Sequence, residues 1–149
     1  MFWDFLSLTP ESAHQVTILF SSRGTPATYR NMNGYSSHTF KWSNDKNEQF
    51  WIKLHFKTDA GIKNLTAEES DKLKFTNPDH ATQDLFETIQ KGGTASWSVS
   101  VQIMAFDDGF KYRWNIFDVT KVWPHRDYPL IPVRREYFIL VCLCFFSFI

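Results

Sequence analysis

Two neighbouring segments with a two-residue period restrict the fold of this chain most. Residues 49–57 alternate large apolar side chains with lysine, histidine and tryptophan, and residues 33–42 carry closely spaced aromatic side chains after a glycine. Such alternation predicts β-strands whose successive side chains point to opposite faces. Asn44-Asp45 is typical of a turn, so the two segments predict an antiparallel hairpin.

The two faces of the predicted hairpin differ in chemistry. The first strand places His38, Phe40 and Trp42 on one face and Asn33, Tyr35 and Lys41 on the other. A loop centred near residue 46 sets Trp42 opposite Phe50, Tyr35 opposite Lys57, and His38 opposite Leu54. We therefore expect Tyr35 and Lys57 to meet on the polar face.

Helix and strand signals flank this hairpin. Thr9-Pro10-Glu11 predicts the start of a helix that ends near Phe20 or Ser21 and shows His14, Ile18 and Ser21 on one face. Thr66 and Glu69 form a capping box for a helix over residues 67–73, and a second helix follows Asn77-Pro78. Residues 96–106 predict a strand, residues 107–109 a turn, and Asp118 the start of one short helical turn.

Composition narrows the functional classes. The 149 residues give room for about one domain, and 16 acidic residues balance 16 basic ones, which argues against a nucleic-acid partner. Cys142 and Cys144 lie two residues apart, a spacing that favours neither a structural disulfide nor a zinc site. Acidic residues interrupt the amino-terminal apolar stretch, so no signal peptide is predicted.

Five short motifs follow one another along the chain. They are Pro10-Glu11-Ser12, Met32-Asn33-Gly34-Tyr35, His38-Thr39-Phe40-Lys41, Gly61-Ile62-Lys63-Asn64-Leu65, and Phe117-Asp118-Val119-Thr120-Lys121-Val122-Trp123-Pro124-His125. Their order and spacing resemble those of the haem catalases, and the sequence is most similar to the fungal, small-subunit members. The resemblance covers almost everything from Met1 to Val133.

This resemblance implies an α+β fold. The chain would supply the second half of the family's eight-stranded antiparallel β-barrel, as a partial barrel with inserted helices. We expect residues 1–133 to form this partial catalase core and residues 134–149 to be an apolar tail unlike the family.

The implied function is disproportionation of hydrogen peroxide to water and oxygen with haem b, as part of the oxidative stress response. The family's distal His, distal Asn and proximal Tyr have no counterpart among the residues of this chain, so we expect it to be inactive alone. The resemblance further implies a homotetramer and a peroxisomal or cytoplasmic location, although the family's carboxy-terminal peroxisomal address has no match here.

Two binding sites carry over from the matching motifs. His38 resembles the histidine that lines the haem, and a second set of residues resembles the NADPH site of the small-subunit family. That set is His14, Ser21, Arg23, Asn33, Tyr35, Lys57, Val122, Trp123 and His125. Arg23 and Lys57 suit the phosphates of a dinucleotide. No metal site other than haem iron is implied.

Two alternatives stay open. The chain could be a half-barrel that binds nucleotide or haem without turnover, or a short tail-anchored membrane protein. The apolar run after Arg134-Arg135-Glu136 is shorter than the about 20 residues that a membrane span requires, which argues against the anchor. We expect instead that the tail is translated intron or a frameshift, and that both ends are gene-model cuts.

Overall fold

A computed structural model describes residues 1–133, so the predictions for the tail at 134–149 lie outside the described residues. The chain divides into two compact units. The helical unit consists of Met1–Met32 and Ala60–Ala95, and the described part of the sheet unit consists of Asn33–Asp59 and residues 96–133.

The helical unit contains four α-helices: α1 (Phe2–Leu8), α2 (Ala13–Leu19), α3 (Ala67–Thr76) and α4 (His80–Gln90). Proline at position 10 begins a 3₁₀ turn (Pro10–Ser12) that leads into α2, so the predicted helix start is correct but its first turn is tighter. The prediction missed α1. The predicted capping box is confirmed, since Thr66 accepts from the Glu69 backbone and Glu69 accepts from the Thr66 backbone.

Polar contacts hold the helical unit together between segments distant in sequence. The Arg30 guanidinium donates to both oxygens of Asp84 on α4, at 2.8 and 2.9 Å. The His80 imidazole lies 2.8 Å from the Ala27 carbonyl. The Arg30 guanidinium lowers the pKa of the Asp84 carboxyl, which keeps the pair ionised at neutral pH.

The sheet unit contains one antiparallel sheet, as the sequence predicts. Its strands are β1 (Gly34–Tyr35), β2 (Phe40–Ser43), β3 (Gln49–Thr58), β4 (Trp97–Ala105) and β5 (Ile131–Pro132). Both β1 and β2 pair with the same edge of β3, β4 pairs with its other edge, and β5 follows β4. Among the described residues the sheet is open, which agrees with the predicted partial barrel.

The predicted hairpin register is correct next to the turn and wrong at the far end of the hairpin. Trp42 pairs with Phe50 as predicted, but Tyr35 pairs with His55 rather than Lys57. Residues 36–39 leave the ladder, Ser37 has a φ of 55°, and the Leu54 amide donates to the Ser36 hydroxyl. The predicted pairing of His38 with Leu54 is therefore wrong.

One core cluster of the sheet unit lies on the Tyr35 side of the sheet, while Ile52 and Val101 are buried on the other side. Trp51 and Met104 from the sheet pack with Ile116 and Trp123 from the segment that follows β4. Residues 106–111 form α5 (Phe106–Lys111) rather than the predicted turn, and a Cβ on Gly109 would lie 2.6 Å from the Trp51 ring. The glycine thus permits α5 to approach the tryptophan closely.

The segment from residue 112 to 130 crosses the core as turns and irregular backbone. Asp118 caps a single turn, as predicted, although no helix forms there: its carboxylate accepts from the Thr120 amide and its backbone carbonyl from the Lys121 amide. Within residues 1–133, no helix is long and apolar enough to span a membrane.

Candidate functional site

A cavity of about 540 Å³ lies within the sheet unit, between β3 and the segment that follows Asp118. Its size falls within the range of about 300–1,000 Å³ typical of small-molecule sites. The lining includes most of the dinucleotide residues predicted for this unit, namely Tyr35, Lys57, Val122, Trp123 and His125. These residues come from segments far apart in sequence.

Tyr35 and Lys57 form the polar corner of the cavity. The Lys57 ammonium donates to the Tyr35 hydroxyl at 2.8 Å and lies 4.9 Å from the centre of its ring. Asn33 also donates to this hydroxyl, at 3.3 Å, and its carbonyl accepts from the Thr58 amide. The two side chains predicted to meet do so although their backbone register differs by two residues, because Lys57 and His55 share one face of β3.

His55 lies between two aromatic side chains of the predicted site. Its ring makes edge contacts with Tyr35 and His125, with centres 5.5 and 5.7 Å apart. Its Nε2 lies 2.9 Å from the Gln102 carbonyl oxygen. Burial lowers the pKa of His55, the hydrogen bond to Gln102 opposes this shift, and the neighbouring His125 and lysines add to it. The net shift is downward, so the imidazole is neutral at pH 7.

Lys53 supports the opposite side of the cavity. It is only 8% exposed, its ammonium donates to the Lys121 carbonyl at 3.0 Å, and it lies 5.5 Å from the centre of the Trp123 ring. Burial lowers its pKa, while the Asp118 charge opposes that shift. The lysine thus fixes a stretch of wall that carries Val122 and Trp123.

The cavity lining is basic. Among the described residues, three lysines and two histidines line it and no aspartate or glutamate does, although the Asp118 carboxylate lies 3.8 Å from the Lys121 ammonium. Among the aromatic residues of the lining, Tyr35 and His125 are exposed, while Trp123 is buried. Such a combination suits an anionic ligand with planar rings, because the cations attract the charge and the rings offer stacking surfaces.

The remaining predicted residues lie elsewhere. His14 is exposed on α2, and Arg23 is exposed in the 3₁₀ turn Ser22–Gly24. Ser21 does not share the helix face with His14, because α2 ends at Leu19 and the Ser21 side chain caps the following turn by accepting from the Arg23 amide. All three belong to the helical unit.

His38 does not occupy a strand position. It is exposed within the interruption between β1 and β2, so the alternation argument that placed it on the same face as Phe40 and Trp42 fails. Those two side chains are 48% and 45% exposed on the face of the sheet opposite Tyr35. The predicted separation of an apolar from a polar face is also wrong, because the Tyr35 face carries the buried side chains of Trp51 and Met104.

The catalase family model matches residues 1–138. The chain belongs to the catalase family. It is 65% identical over 135 residues to the catalase of Methanosarcina barkeri and 56% identical over 135 residues to the peroxisomal catalase of Toxoplasma gondii, each time over 91% of this chain. The solved structure of catalase A from Saccharomyces cerevisiae matches 89% of the chain with a TM-score of 0.81 and 54% identity.

The catalases that this chain matches are much longer. It spans 27% of the length of the Methanosarcina barkeri and Toxoplasma gondii proteins and 28% of the yeast catalase structure. The predicted family and the predicted partial catalase fold are confirmed by these matches.

Sequence reasoning missed several residues of this catalase cavity. Lys53 and His55 line it beside Lys57. All three are spaced by two residues on one face of β3, so strand alternation could have predicted that Lys53 and His55 lie beside Lys57. Gln102 had no such signal, because its contacts depend on how β4 pairs with β3 and on carbonyl groups of an irregular segment.

Proposed function

We propose that this chain is part of a haem catalase that disproportionates hydrogen peroxide, and that the cavity of the sheet unit holds part of an NADPH molecule. The NADPH proposal rests on the observation that residues predicted for one site lie together in the structure. Tyr35, Lys57, Val122, Trp123 and His125 all belong to the NADPH set that the resemblance implies, and all line one cavity.

The chemistry of the cavity supports a phosphorylated nucleotide. Lys57 offers an ammonium group held in place by the Tyr35 hydroxyl, at a corner that no carboxylate lines. His125 is exposed and offers a ring face or edge to a base or nicotinamide, while Trp123, which is 2% exposed, supports the lining from the core. A ligand with both phosphate and planar rings uses all of these groups.

His38 is the residue we propose for contact with the edge of the haem. Its exposed imidazole lies in sequence beside Phe40 and Trp42, whose exposed rings suit an apolar porphyrin. When bound, the haem iron supplies the redox chemistry of peroxide disproportionation. We assign the residues of this chain supporting contacts and no catalytic role.

Isothermal titration of the 149-residue chain with NADPH and NADH tests the nucleotide site. We expect NADPH to bind more tightly than NADH, because its additional phosphate meets the basic lining. The difference should shrink at high salt, since the screening length falls to about 3 Å at 1 M ionic strength. Equal affinities for the two nucleotides at low salt would contradict the site.

We further propose a peroxisomal or cytoplasmic location. Support comes from the Toxoplasma gondii relative, which is itself called a peroxisomal catalase. The homotetramer implied by the resemblance stays a prediction.

A further inference from the structure

Gln102 is the most completely buried polar side chain next to the cavity. It lies on β4, is 1% exposed, and contributes to the cavity lining. Its Nε2 donates to the Trp123 carbonyl at 3.0 Å and also to the Tyr128 carbonyl. One amide group therefore connects two points of the irregular segment at residues 112–130, called the wall segment below, to the sheet.

These two bonds determine the orientation of the Gln102 amide. A flipped amide would place its oxygen against two carbonyl oxygens, which repel it, so the amide nitrogen must face the wall. The amide oxygen then faces His55, 2.9 Å from Nε2. Since a carbonyl oxygen only accepts, Nε2 of His55 must carry the proton.

This arrangement has a consequence for the other ring nitrogen of His55. In a neutral imidazole with a proton on Nε2, Nδ1 is an acceptor. Nδ1 is buried and has no hydrogen-bond partner among the described residues. A buried acceptor without a donor is unfavourable, and a ligand that brings an N–H or O–H group removes this penalty.

We propose that Gln102 is a positioning residue of the nucleotide cavity, which holds His55 as the Nε2–H tautomer so that Nδ1 accepts an N–H or O–H group of the ligand. The ligand groups of matching chemistry are a ribose hydroxyl and a carboxamide N–H, whereas phosphate oxygens suit the lysines instead. The same amide fixes the wall that carries Trp123 and His125. This inference rests on the proposed nucleotide site.

The ring ¹⁵N shifts of His55 in the uniformly labelled 149-residue chain test the first step without any substitution. We expect Nδ1 to resonate as an unprotonated ring nitrogen and Nε2 as a protonated one, at neutral pH and without ligand. A His55 in the Nδ1–H tautomer, or in the doubly protonated form, would overturn the proposal.

Gln102→Met tests the coupling to the ligand, with Ser100→Ala as the control on the same strand face. Methionine keeps the length of the side chain and removes its hydrogen bonds. We expect His55 to become a mixture of tautomers and NADPH affinity to fall about tenfold, the effect of one lost hydrogen bond, while the control changes neither. A folded Gln102→Met chain with the wild-type tautomer or wild-type affinity would refute the role.

The two readouts separate this inference from the proposed function. If His55 shows the Nε2–H tautomer, and Gln102→Met mixes the tautomers, while NADPH does not bind the wild-type chain, the nucleotide site is wrong. The control of His55 by Gln102 then stands. If NADPH binds and the His55 tautomer is the other one, the nucleotide site stands and the inference is wrong.

Discussion

Replacing Lys57 by alanine tests the basic corner of the cavity most directly. Lys57 is half-buried on β3, and its ammonium is held 2.8 Å from the Tyr35 hydroxyl. This bond already fixes the long side chain. Binding of a phosphate to the ammonium therefore costs little further side-chain rotational entropy. The ammonium should therefore contribute close to the full energy of a charge-assisted hydrogen bond.

The energy of this hydrogen bond determines the expected loss of NADPH affinity. Removing one charge-assisted contact costs about 1–3 kcal/mol, which is about 5- to 150-fold in the NADPH dissociation constant. Two neighbouring lysines limit the loss, because the remaining charges of Lys53 and Lys121 still attract the ligand. We therefore expect the lower half of this range, and a smaller loss for NADH if Lys57 meets the additional phosphate of NADPH.

The assay is titration calorimetry of both nucleotides against the wild-type chain, Lys57→Ala and Lys41→Ala. Lys41 is the matched control, since it is an exposed lysine on the same face of the sheet, opposite Trp51, and does not line the cavity. Tyr35→Phe separates the loss of the ammonium from the loss of its support. NADPH affinity that is unchanged in Lys57→Ala, or reduced equally in Lys41→Ala, would refute the reasoning.

The purified chain supplied with haem should release no more oxygen from peroxide than free haem does, and faster haem-dependent release in an oxygen electrode would contradict this. Asp84→Asn should cost about 1 kcal/mol of unfolding free energy at pH 7, because it breaks a partly buried bidentate pair with Arg30. Since the pKa of Asp84 is lowered in the folded state, this stabilisation is complete above the unfolded pKa and disappears as pH falls through the folded one. Urea titrations of the wild-type chain and Asp84→Asn, at pH 7 and at a pH below the folded pKa of Asp84, check this prediction. If the variant lost the same unfolding free energy at both pH values, the ion pair would be excluded as the source of the loss. Thr66→Ala should cost about 1 kcal/mol by removing the capping box of α3, and an unchanged urea midpoint would count against that role.

The hairpin shows what alternation in a sequence can predict. The loop length fixes the register next to the turn, so the pairing of Trp42 with Phe50 follows from counting. Farther from the turn, the Ser36 hydroxyl accepts the Leu54 amide and Ser37 adopts a positive φ, which shifts the pairing of Tyr35 by two residues. A shift of two preserves the face of every side chain, and this is why Tyr35 and Lys57 still meet.

The candidate site divides in the same way between what local pattern determines and what tertiary contacts determine. Among the residues expected to touch the ligand, His125 lies in a motif that can be identified along the chain, and Lys57 lies on a face that strand alternation predicts. The orienting role of Gln102 could not be identified in this way, because this residue acts on backbone carbonyls of an irregular segment and on a histidine of the neighbouring strand. Glutamine in a strand is equally compatible with a solvent-facing position, and its burial follows only when the wall segment packs over the sheet. Positioning residues of this kind must therefore be identified from a structure, even where the family and the ligand contacts are evident in the sequence.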